Sequence, residues 1–85
     1  MSEEEKFKIV IYNDDVNNFQ YIIACLMRYC NHSKEQAEQC ALIAHNNKKC
    51  DIMNGSYSQM SEVLEDLISL DIKVKIDTYE SNLRR

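Results

Sequence analysis

The hydrophobic pattern changes its period once, early and abruptly. Phe7, Ile9 and Ile11 alternate with Lys8, Val10 and Tyr12, the period-2 pattern of a strand. Three short polar residues follow, Asn13, Asp14 and Asp15, and from Phe19 onward apolar residues recur every three or four positions. Asn and Asp are depleted in strands and favoured in turns, so the break predicts a strand-to-helix connection. It also gathers hydrogen-bond acceptors and negative charge at the mouth of that connection, where a small cationic group could be held.

The remaining elements follow from the same two periods. Asn17 or Asn18 is the expected N-cap of a first helix running to about Asn31, with Phe19, Ile22, Ile23, Leu26, Met27 and Cys30 as its apolar stripe. Ser33 and Gln36 match a capping box and open a second helix to about His45, carrying Ala37, Cys40, Ala41 and Ala44 on one face. Asn46-Asn47 is expected to end it, since Asn tolerates the left-handed conformation. Lys49 to Met53 reads as a weak strand, and Asn54-Gly55 as the strongest turn signal in the chain. A third helix is expected from about Ser58 to Ser69, with Met60, Val63, Leu64, Leu67 and Ile68 turned inward. Ile72, Val74 and Ile76 then alternate as a half-buried strand. The order β-α-α-β-α-β implies an α+β fold, a short antiparallel three-stranded sheet with three helices packed on one face. Residues 1–5 are expected to be a short flexible N-terminus, 6–78 one domain and 79–85 a tail.

Totals exclude several functions. A net charge of −4 on 85 residues argues against a nucleic-acid partner, which calls for a basic patch. No apolar run is long enough to span a membrane, and Ser2-Glu3-Glu4-Glu5-Lys6 is the reverse of a secretory signal, so a cytoplasmic protein is expected. Cys25, Cys30, Cys40 and Cys50 form no C-x-x-C pair and match no zinc spacing. They read as free, buried thiols, with neither metal nor cofactor expected.

With the elements placed, the chain resembles the ClpS family of adaptors for bacterial Clp proteases. The resemblance lies in Val10-Ile11-Tyr12-Asn13-Asp14-Asp15, in Phe19 to Met27, and in Glu35-Gln36-Ala37-Glu38-Gln39 with Ile43-Ala44-His45. It implies a non-catalytic, monomeric binder of N-degrons, protein N-termini whose first side chain is large and hydrophobic. Its partners would be those substrate proteins and the N-terminal domain of a Clp AAA+ unfoldase. The family's α-amino-binding positions match Asn13, Asp15 and His45, with Asp14 supporting the turn. The hydrophobic pocket would be walled by Phe19, Ile22, Ala41, Ala44 and Ile72, with Asn17 beside them. In the family, Thr-Pro and a Met are common where Asn17, Asn18 and Phe19 stand, and bulkier residues are frequent at Ala41 and Ala44.

The chemistry is coherent without the family. An ammonium has three donors and no acceptor, so a specific site needs about three converging acceptors, preferably one of them charged. An amide oxygen of Asn13, a carboxylate of Asp15 and an imidazole nitrogen of His45 meet that need. Two other readings stand beside it: an interaction module indifferent to the first residue, and a small enzyme using Asp14, Asp15 and His45. No nucleophile motif, phosphate loop or ligand spacing accompanies the second.

Overall fold

The computed structural model describes residues 6–13 and 17–78. Segments 1–5 and 79–85, like Asp14, Asp15 and Val16, lie outside the described residues. Among the described residues the chain forms β1 (Phe7–Tyr12), α1 (Phe19–Tyr29), α2 (Lys34–Asn47), β2 (Lys49–Gly55), α3 (Tyr57–Ser69) and β3 (Val74–Thr78). The expected α+β order is therefore the observed one. The strands form one antiparallel sheet in the order β2-β1-β3, which puts the first strand at its centre.

That central place explains the apolar density of β1. Ile9 pairs with Met53 and Ile76, and Ile11 with Cys50 and Val74, so these residues share the face that the helices cover. Ile9 and Ile11 join Ile22, Leu26, Ala41 and Leu67 in the core. Val10 is equally buried but stands outside that cluster, on the opposite face between Asp51 and Lys75. There Lys8 pairs with Asp51 at 3.2 Å, and the Lys75 ammonium lies over the Tyr12 ring. Lysine stems can shield an apolar neighbour while keeping their charge in water.

The β1–β2 register slips between Ile9 and Val10, leaving Ile52 as an extra residue in β2. This bulge turns Asp51 to the open face and Cys50 to the core face. A bulged residue loses its ladder partner, and a buried carbonyl needs another. His32 Nε2 lies 2.7 Å from the Ile52 carbonyl, and since a carbonyl only accepts, Nε2 carries the proton. The other ring nitrogen, Nδ1, is buried and meets no hydrogen-bond partner among the described residues.

Helix ends follow their local chemistry with some departures from expectation. Asn18, not Asn17, caps α1, its Oδ1 accepting from Tyr21 N at 2.8 Å. The Ser33–Gln36 capping box forms in full. The second helix continues through both asparagines, and Lys48 takes the left-handed conformation at φ 79°. Ser56 caps α3 by accepting from Gln59 N, so Ser56-Tyr57-Ser58-Gln59 repeats the S-x-x-Q spacing of the second helix.

The Asn54-Gly55 turn does not exist. Both residues lie in β2, paired with Lys8 and Phe7, and Gly55 has no positive φ. What glycine supplies there is space: a Cβ would sit 3.0 Å from Gln59 Oε1 and 3.2 Å from Met60 Cε, in the first turn of α3. Three residues expected in apolar stripes are substantially exposed, Phe19 at 39%, Met27 at 41% and Ile68 at 53%, while Cys25 is buried instead. Among the described residues no helix is long and apolar enough to cross a membrane.

Candidate functional site

Four hydrogen bonds draw the C-terminal end of β1 and the start of α1 toward the rest of the fold. Tyr12 N donates to the Lys73 carbonyl and Asn13 N to the Lys48 carbonyl, each at 2.9 Å. Asn17 Nδ2 donates to the Asp71 carbonyl at 2.7 Å, and the Tyr21 hydroxyl to the Leu70 carbonyl at 2.9 Å. Asp71, at φ 67°, ends α3 in a Schellman turn, with Asp71 N bonded to Ile68 O and Ile72 N to Leu67 O. The chain on either side of the first connection is thus pinned to the left-handed residues that follow α2 and α3.

This stitching leaves a cavity of about 270 Å³ between β1, α1 and α2. The strand contributes Ile11, Tyr12 and Asn13, and Asn17 stands at the entry to the first helix. From α1 come Phe19 and Ile22, and from α2 Ala41, Ala44 and His45. Ala41 and Ala44 are almost fully buried, so their short side chains, not exposure, account for the hollow. Phe19 and His45 are exposed at its margin.

Asn13, Asn17, Phe19, Ile22, Ala41, Ala44 and His45, residues that the family resemblance singled out, line this one cavity. Asp14 and Asp15 lie outside the described residues, directly after Asn13. Ile72 is placed elsewhere: it precedes β3, is 3% exposed and packs in the core without lining the cavity. Ile11 and Tyr12 were missed as lining residues. Alternation assigns them to opposite faces, but at a strand's end one cavity can reach both. The available signal was their position immediately before Asn13.

The electrostatics favour a cation. His45 sits in the last turn of α2, where unpaired carbonyls give the helix end a partial negative charge. An imidazole and amide side chains add acceptors without requiring a second buried charge. Among the described residues no group of three or more His, Cys, Asp or Glu side chains is placed to hold a metal ion.

The cysteines belong to other parts of the fold, and all four are free thiols. Burial, with the neighbouring Cys40, pushes the Cys50 thiol up to about 12. Burial, with Cys25 nearby, pushes Cys30 up to about 11. Burial also raises Cys25 and Cys40. Thiols so shifted stay protonated at neutral pH and make poor nucleophiles.

Comparison with known proteins agrees with this architecture. The family model for ClpS, the ATP-dependent Clp protease adaptor protein, matches residues 2–74. ClpS adapter proteins from Campylobacter jejuni strains of serotypes O:23/36 and O:2 are 34% identical over 47 residues, 55% of this chain and 49% of theirs. The chain therefore spans about half the length of these relatives in the matched region. The structure of Agrobacterium tumefaciens ClpS2 bound to L-phenylalaninamide has the same fold, with a TM-score of 0.84 over 88% of this chain and 98% of that one, at 11% identity.

Proposed function

The chain belongs to the ClpS family of ATP-dependent Clp protease adaptors, and from that membership we propose that it captures N-degrons and delivers them to a Clp AAA+ protease. A free α-amino group would be held by the Asn13 amide oxygen, the His45 imidazole and the Asp15 carboxylate, with Asp14 supporting the turn. The first side chain would enter the hollow between Phe19, Ile22, Ala41 and Ala44, with Asn17 at its margin. The unfoldase would engage the adaptor through its own N-terminal domain, on a surface away from this cavity. The adaptor acts as a cytoplasmic monomer and catalyses nothing itself.

One observation carries this reading: Asn13 and His45 line the same cavity as Ala41 and Ala44, at the C-terminal end of α2. An ammonium buried without acceptors is very costly, and Asn13 and His45 would supply them beside the negative end of the α2 dipole. Burial of a Leu- or Phe-sized side chain adds about 1.5–3 kcal/mol. The likeness in fold to a ClpS2 solved with phenylalaninamide, a free amine on an aromatic residue, supports the same assignment.

Short peptides beginning with Phe or Leu, with the amine free or acetylated, test it by calorimetry. Free peptides are expected to bind with micromolar or tighter affinity, about −8 kcal/mol. Acetylation should remove a donor set and a charge together, and binding should fall at least a hundredfold. Equal binding of free and acetylated peptides would replace this reading with that of an interaction module indifferent to the N-terminus.

A further inference from the structure

We propose that the cavity selects aromatic first residues over leucine and that Ala41 and Ala44 set the preference. This inference deepens the N-degron reading and rests on it. Ala41 and Ala44 stand three residues apart on the buried face of α2, and each contributes only a methyl group to the wall. Between them and Ile22 the hollow reaches about 270 Å³. A branched aliphatic side chain leaves more of that space empty than a ring system does. Apolar atoms facing a void lose their dispersion partners, and the penalty grows with the volume left unfilled.

The rest of the lining points the same way. Phe19 brings an aromatic ring to the cavity from the start of α1. Rings prefer edge-to-face or offset partners, an attraction that an aliphatic guest does not share. Phe19 keeps 39% of its surface exposed, so a planar guest can gain area against it that is now in contact with water. Volume and aromatic lining are independent features of the cavity, and both favour a ring.

The test uses the full chain and peptides identical except for a first Trp, Phe or Leu, each also prepared acetylated. Trp- and Phe-first peptides are expected to bind about tenfold tighter than the Leu-first peptide, the equivalent of about 1.4 kcal/mol. Ala41→Val and Ala44→Val, made separately and checked for an unchanged unfolding midpoint, should narrow the ratio by weakening Trp- and Phe-first binding more than Leu-first binding. Leu-first binding equal to or tighter than Trp- and Phe-first binding overturns the preference and leaves the amine site standing. A wild-type ratio in both valine variants overturns the assignment to these alanines. Indifference to acetylation would instead remove the N-degron reading beneath it.

Discussion

Between α2 and β2 lies a shallow, open depression lined by His32, Gln36, Gln39, Cys40 and Ile52, and its histidine is tied to the backbone. His32 lies against the Ile52 carbonyl at the bulge, and the Cys40 and Cys50 thiols face each other. Between α2 and α1, at the end of β1, Ala41 and Ala44 leave a hollow and His45 stands exposed at its mouth. The same helix therefore serves the fold on one side and can receive a guest on the other. The difference lies in what each histidine meets. One closes an internal hydrogen bond that a bulge had opened, while the other lines a largely apolar space that it shares with Asn13 and Asn17.

The largest expected effect tests whether the hollow is a guest site at all. Ala44→Phe should fill it with a side chain of the chain's own and reduce peptide binding below detection, with little change in unfolding midpoint. If the variant unfolds instead, the space around Ala44 is core and the contrast between the two sides of α2 collapses. Calorimetry and thermal unfolding on the same preparation read both outcomes.

Exchanging the roles of the histidines is the next most demanding test. His45→Ala should weaken binding of a free-amine peptide by about tenfold or more, since hydrogen bonds to charged groups contribute about 1.5–3 kcal/mol. Its effect on stability should stay within about 0.5 kcal/mol, as for other exposed positions. His45→Gln, which retains an acceptor, should recover part of the binding. Unchanged binding in His45→Ala would remove His45 from the site.

His32→Ala should do the reverse. It leaves the Ile52 carbonyl without its donor at a buried bulge, a loss of about 1–3 kcal/mol of stability. Peptide affinity of the folded protein should be unchanged. Urea unfolding gives the first quantity and calorimetry the second. A variant as stable as wild type would mean that water satisfies the bulge and that His32 is incidental.

The sequence could be read wherever one residue's local chemistry decides the structure. The Ser33–Gln36 box, the β1 alternation and the Asn13 break are of this kind, because cap and turn preferences act within a few residues. Ser56-Tyr57-Ser58-Gln59 carried the same cap spacing and passed unread because Asn54-Gly55 promised a turn just before it. That promise failed because pairing with β1 outweighs a dipeptide preference, and the glycine is needed for clearance from α3. The Ile52 bulge had no local signal, since it depends on the register against another strand. Seven lining residues, Asn13, Asn17, Phe19, Ile22, Ala41, Ala44 and His45, were named through the family resemblance. Ile72, assigned to the wall by the family resemblance, packs in the core instead, a difference that depends on tertiary packing and leaves no local signal.

The smallest expected effect concerns the β2 side of α2 alone and appears only in alkali. The Cys50 and Cys30 thiols are held near 12 and 11 in the folded chain, against 9.0 for an unperturbed thiol. Folding therefore favours their protonated forms. That contribution is fully present below about pH 9 and is lost as the pH rises through the folded values, because the unfolded chain releases these protons first. Stability should decline between pH 9 and 12, and thiol alkylation of the folded protein at pH 8 should be slow beside that of the unfolded chain. Cys50→Ala should flatten part of the alkaline decline without altering peptide affinity at neutral pH, since Cys50 does not line the cavity. An unchanged decline in Cys50→Ala would assign it to other groups. A change in neutral-pH affinity would mean that the two sides of α2 are coupled.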